Sequence, residues 1–147
     1  MMSQNTSTPA GGPDAAAGAV QVVRGIPIEA VQAVPYYVGI SRNTTGARAL
    51  SMQLVVLPPG GSCRPHIHVG SESGLYILAG HAETKFGDGL RESVIAGPGD
   101  FLFIEPGVPH QGCNLSKTDP VIAIVVRDDA NEQEHIKLYL PEGSDGH

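Results

Sequence analysis

The feature that most constrains this chain is how soon every apolar run is interrupted. Short stretches that are apolar, or that alternate apolar with polar residues, recur from Val20 onward: "VQVV", "YYVGI", "ALSMQLVVL", "LYILA", "HAETKF", "ESVIA", "DFLFI", "VIAIVV" and "HIKLYL". The pattern predicts roughly nine or ten strands. The breaks have a mechanism, because 19 glycines and 12 prolines supply the positive and fixed φ values that tight turns need. "PPGG" at 58 to 61 and "GPG" at 97 to 99 are such turns, and "FGDGLRE" reads as a hairpin turn around Asp88 and Gly89. In "ALSMQLVVL", Leu50, Met52, Leu54 and Val56 share one face while Ser51 and Gln53 point the other way. Only "DANEQEH" near residue 132 has the makings of a helical turn. No internal repeat or second composition zone appears, so the expectation is an antiparallel β-sandwich or small barrel.

A chain of 147 residues and 15.3 kDa suits one compact domain. Its expected extent is 20–147, after a flexible tail at 1–19 that is rich in Ser, Thr, Ala, Gly and Pro and has no periodic apolar face. A formal net charge of -6 argues against nucleic acid and anionic membrane as partners, because both need clustered Lys and Arg. No apolar run approaches the roughly 20 residues that cross a bilayer, and the first residues have neither the basic start nor the apolar centre of a signal peptide. The expected location is the cytoplasm. Cys63 and Cys113 are too few for a disulfide framework and would there remain thiols.

The chemistry concentrates in "GGSCRPHIHVGSESGLYILAG", residues 60 to 80. On a strand, positions i and i+2 face one side about 6.5 to 7 Å apart at Cα. His66 and His68 can therefore lean toward one ion at the roughly 2.0 to 2.1 Å of a metal–nitrogen bond. Further candidate ligands are Glu72 and, beyond a second glycine-rich turn in "GPGDFLFIEPGVPHQGCN", His110.

With these residues in place the chain resembles a cupin, the family of double-stranded β-helix (jelly-roll) barrels. That family carries the motifs G-x5-H-x-H-x(3,4)-E-x6-G and G-x5-P-x-G-x2-H-x3-N. Gly60, His66, His68, Glu72 and Gly80 follow the first, and Gly99, Gly107, His110 and Asn114 the second. The resemblance implies an all-β barrel in which His66, His68, Glu72 and His110 hold a divalent transition metal. Neutral imidazole and carboxylate suit Zn, Mn, Fe, Ni or Cu. Two departures stand out. Seven residues rather than six separate Glu72 from Gly80, so counting back from that glycine puts the motif's glutamate on Ser73. One residue of slip turns a side chain to the opposite face; either a bulge near Gly74 restores Glu72 to the interior, or three histidines stand without it. Glu105 replaces the usual proline, with Pro106 directly after.

Other residues carry milder expectations. Glu105 reads as a solvated turn residue and Asn114 as one that fixes a turn. His81 and Tyr76 either line a cavity or point outward, His135 and His147 face solvent, and Tyr36 and Tyr37 serve an edge strand or a subunit contact. The resemblance implies a small-molecule metalloenzyme of dioxygenase, isomerase, decarboxylase or lyase type, and a homodimer. The alternative is a non-catalytic barrel that binds or senses a small ligand, since a shared scaffold does not select a reaction.

Overall fold

The structure is a computed structural model, and it describes residues 18–131, 133 and 135–140. The tail expected at 1–19 falls almost wholly outside the described residues. The strands, in chain order, are β1 (Ile26–Glu29), β2 (Pro35–Ile40), β3 (Ser51–Leu57), β4 (His66–His68), β5 (Ser73–Ala79), β6 (Ala82–Phe86), β7 (Glu92–Ala96), β8 (Phe101–Ile104), β9 (His110–Asn114), β10 (Val121–Arg127) and β11 (Ile136–Leu138). A six-stranded sheet has the order β1-β2-β3-β10-β5-β8 and a five-stranded sheet the order β11-β4-β9-β6-β7, every pairing antiparallel. From β7 onward each strand crosses to the opposite sheet, the winding of the expected double-stranded β-helix. No helix among the described residues is long and apolar enough to cross a membrane.

The core follows from strand parity. On β10 the buried side chains are Val121, Ala123, Val125 and Arg127, with Ile122, Ile124 and Val126 on the other face. Tyr36 and Val38 of β2, Leu57 of β3 and Ala82 of β6 meet Val121 in one cluster, and Ile77 packs on Ala96 and Ala123 in a second. Burying a side chain such as Ile77 contributes roughly 1.5–3 kcal/mol. On β3 the inward face holds Ser51 and Gln53 together with Leu57, so the apolar set Met52, Leu54 and Val56 lies outside. Periodicity separates two faces without saying which is inner. Here the inner face is the one that mixes Ser51 and Gln53 with Val55 and Leu57.

Three expectations are corrected. "VQVV" is no strand; Val20 is 92 % exposed, and the first strand lies later, where Ile26 to Glu29 pair with β2. Pro27 is tolerated there because β1 is a sheet edge, where a missing N–H breaks no ladder. A helical turn forms as α1 (Arg42–Thr45), outside "DANEQEH", so that segment is not the sole candidate; two of its residues, Glu132 and Glu134, lie outside the described residues. Ser41 caps α1 reciprocally: the Thr44 amide donates to Ser41 Oγ at 3.3 Å and the Ser41 amide to Thr44 Oγ1 at 2.9 Å. Tyr36 is 1 % exposed on an internal strand, so it serves neither an edge nor a subunit contact. The turn at "FGDGLRE" is present as a 3-10 turn over Asp88–Leu90 joining β6 and β7.

Gly80 shows how tightly the β5–β6 corner closes. Its φ is +82°, and a Cβ there would sit 2.5 Å from the Pro120 carbonyl oxygen and 2.9 Å from Val121 Cα. Gly99 has φ +90° with nothing within 4 Å. Gly99→Ala should therefore lose only the left-handed backbone strain, about 1–2 kcal/mol. Gly80→Ala should lose clearly more, above about 2 kcal/mol. Urea denaturation of both variants tests this, and equal losses would show that the corner yields freely.

Candidate functional site

Parity brings the histidines inside. His66 and His68 are the ends of the three-residue strand β4, each 3 % exposed with Ile67 between them on the other face. β4 pairs with β9 through His66 opposite His110, itself 5 % exposed. The ring centroids lie 4.8 Å (His66–His68), 4.3 Å (His66–His110) and 5.3 Å (His68–His110) apart. One ring nitrogen from each can be chosen so that all three lie within 4.8 Å of one another, a spacing that could hold a metal ion.

The same local device orients two of these rings. His66 and His110 each follow a proline, Pro65 and Pro109, and proline holds the residue before it extended. His66 Nδ1 lies 2.7 Å from the Arg64 carbonyl oxygen and His110 Nδ1 lies 3.0 Å from that of Val108. A carbonyl only accepts, so Nδ1 carries the proton and Nε2 keeps its lone pair. His68 Nε2 is buried without a hydrogen-bond partner among the described residues. Buried polar nitrogens are rarely left this way unless an unseen group completes them. The donor set fits a divalent cation.

The surroundings keep the rings uncharged. Burial, then the neighbouring His110, pushes the His66 pKa down to about 3. Burial followed by the Arg127 guanidinium lowers that of His68, and burial also lowers that of His110. Neutral imidazole is the form that ligates metal. The Cys63 thiol is pushed up to about 11, mainly by burial, and its Sγ accepts from the Gly112 amide at 3.2 Å. Cys63 and Cys113 are both free thiols.

Glu72 is not brought to the histidines. It is exposed at the start of β5, its amide donating to Asp128 Oδ1 at 2.8 Å, while Ser73, 1 % exposed, takes the inward position. The extra residue before Gly80 is absorbed further along, where the β5–β10 register shifts between Ala79 opposite Ile122 and Ile77 opposite Ala123. Pairing at Gly74 is regular on both sides. The irregularity sits at Leu78, too late to turn Glu72 inward.

The residue that sequence reasoning passed over is Arg127. It is 6 % exposed and reaches in from the sheet opposite β4 and β9, donating from Nε to Ser73 Oγ (3.0 Å) and from Nη1 to the Tyr36 hydroxyl (2.9 Å). Its signal was present: Arg127 continues the inward phase of Val121, Ala123 and Val125. His66, His110 and Arg127 line a cavity of about 90 Å³ whose remaining wall is mostly apolar. Room of that size admits a small molecule or a few waters.

The remaining candidates stand apart. Asn114 fixes a corner, its Nδ2 donating to the carbonyls of Leu57, Pro58 and Asp119 at 3.0, 3.1 and 2.8 Å while Oδ1 accepts from the Ser116 amide at 2.9 Å. His81 and Glu105 are exposed. Tyr76 faces outward with its ring 4.8 Å from that of Phe101. His135 lies on the surface against Asp129, at 2.6 Å, and His147 lies outside the described residues.

Comparison with known proteins agrees with this architecture. The cupin-domain profile matches residues 53–127, about half of the chain. A germin-like protein of Arabidopsis thaliana, subfamily T member 3, is 38 % identical over 92 residues, which cover 59 % of this chain and 38 % of that protein. The chain thus spans well under half of that curated relative. Among solved structures, a Klebsiella pneumoniae protein with a double-stranded β-helix domain superposes with a TM-score of 0.59 at 20 % identity over 76 % of this chain and 83 % of its own. The oxalate decarboxylase of Bacillus subtilis, with its Mn(II) centres, gives 0.63 at 18 % identity over 76 % of this chain and 29 % of its own.

The depressed histidines set a pH dependence. The unfolded chain protonates His66 near its ordinary value of about 6.5, whereas the folded chain resists until about 3. Between those values the unfolded state binds more protons, so stability rises with pH and is lost as pH falls through the window. In chelator-treated protein, the stability of wild type relative to His66→Gln should fall by about 1 kcal/mol per pH unit below 6. A difference that stays constant from pH 7 to pH 4 in urea melts would contradict this.

Proposed function

The chain belongs to the cupin family, and from that premise we propose that it is a small-molecule metalloenzyme holding one divalent transition metal on His66, His68 and His110. The observation that carries this reading is the buried, unpartnered Nε2 of His68 in a cluster whose other two rings are turned by their own backbone to present Nε2. Three neutral nitrogens leave coordination positions open to a ligand. When bound, such an ion acts as a Lewis acid or lowers the pKa of a bound water.

The chain's own residues do the rest. Pro65 and Pro109 fix the carbonyls that hold His66 and His110 in one tautomer. Leu75, Ile77, Leu102 and Val125 give the small cavity an apolar wall. Ser73 and Tyr36 hold Arg127 facing the histidines. The ion's identity and the reaction, whether oxygenation, isomerisation, decarboxylation or elimination, are open within this proposal. The Mn(II) of the oxalate decarboxylase makes manganese the first ion to try. A barrel that binds the same ligand without turning it over is the second reading, since no residue beside the cluster is identified as a general acid or base.

The homodimer belongs to the same proposal. The outer face of the six-stranded sheet exposes Phe101 (81 %) and Phe103 (62 %) beside Tyr76 and Leu78, more apolar surface than a solvated sheet face ordinarily carries.

Elemental analysis of untagged protein should give close to one divalent ion per chain. His68→Ala should weaken metal binding by more than the roughly 10–100-fold that outer-shell changes cost, while Glu72→Ala and His81→Ala keep full occupancy. Metal loss in the Glu72 variant, or retention in the His68 variant, would refute the ligand set. Substrate turnover abolished by chelation and restored by the ion separates the enzyme from the binding protein.

A further inference from the structure

Arg127 is the group in the cavity that a three-histidine metal site leaves unexplained. It is a guanidinium 6 % exposed, and a buried charge is costly unless something compensates it. Its two hydrogen-bond partners, Ser73 and Tyr36, are neutral hydroxyls. Among the described residues no carboxylate forms an ion pair with it, and its Nη2 has no hydrogen-bond partner. Among the described residues no Asp or Glu lines the cavity. Ser73 takes the inward place from which a glutamate would have offset the positive charge.

Charge balance then points one way. With a divalent ion on three neutral imidazoles, the cavity would carry three positive charges and, among the described residues, no fixed negative one. The guanidinium fork matches the two oxygens of a carboxylate. A cavity of about 90 Å³ admits only a compact ligand of a few non-hydrogen atoms at its inner end. Resting on the metal-site reading above, we infer that the cavity selects a small carboxylate as ligand or substrate. Its anionic group is held by Arg127 on the side facing the histidine cluster.

The test compares two probes of nearly equal shape, glycolate and its neutral amide glycolamide, by calorimetric titration. Wild type, Arg127→Met and Arg127→Lys are each examined metal-loaded and chelator-treated. Wild type should prefer glycolate by at least about tenfold in both forms, the scale of a hydrogen-bonded charge pair. Arg127→Met should lose that preference in the chelated form and most of it in the loaded form at unchanged metal content. Arg127→Lys should retain part. Equal affinity of wild type for the two probes, no detectable binding of glycolate, or an undiminished preference in Arg127→Met would overturn the inference. Should Arg127→Met fail to fold, the wild-type comparison and Arg127→Lys still decide the question. The two readings fail separately: a chelated wild type that prefers glycolate while no variant shows a metal site removes the metal alone, and a stoichiometric metal site without preference removes only the carboxylate.

Discussion

A side chain in this barrel is inside or outside by strand parity, and the site exists because five chemically active residues share the inward phase. His66 and His68 hold it on β4, His110 on β9, Ser73 on β5 and Arg127 on β10. Two sheets facing one another then convert positions far apart in sequence into one lining. Parity is unforgiving, because a single-residue slip exchanges the faces. The extra residue of β5 had to be absorbed somewhere, and placing it at Leu78 rather than Gly74 leaves Ser73 inward and Glu72 in solvent.

Electrostatics follows from that geometry. Three imidazoles pressed together under low exposure cannot all protonate, since each charge would lose its water and face its neighbours. The guanidinium adds to the pressure on His68. Burial thus favours the rings as lone-pair donors, and the backbone carbonyls of Arg64 and Val108 decide which nitrogen of His66 and His110 carries the remaining proton. Metal binding here would compete with few protons, but the arginine opposes a second positive charge. On the carboxylate proposal, an anion sharing the space would reconcile the two tendencies.

Much of this was legible beforehand, for physical reasons that differ by element. The barrel and most strands were readable because turn chemistry and period-2 alternation are local properties. "VIAIVV", "LYILA" and "YYVGI" each fall within observed strands. The histidines were readable because i, i+2 spacing on a strand is a geometric statement. "VQVV" misled because β propensity expresses packing against neighbours, and Val20 and Val22 are left exposed. β3 showed its two faces without saying which was inner; the inner one carries Ser51 and Gln53 together with Val55 and Leu57, and it is the last two that line the cavity. Arg127 was passed over because burial of a cation runs against every compositional expectation, although its phase with Val125 was on view.

The exchange of an inward carboxylate for Ser73 beside Arg127 bears on what this barrel can recognise. An acidic ligand in that position would complete the ion's coordination and neutralise the arginine from within the protein, leaving the cavity indifferent to a ligand's charge. Serine does neither. It holds the guanidinium at 3.0 Å while contributing no charge, so on the carboxylate proposal the compensation would arrive with the ligand. Discrimination built this way favours an anion over its neutral analogue because the neutral one leaves a buried charge unanswered. On the carboxylate proposal, the stability given up by burying Arg127 without an acid would be the physical origin of selectivity.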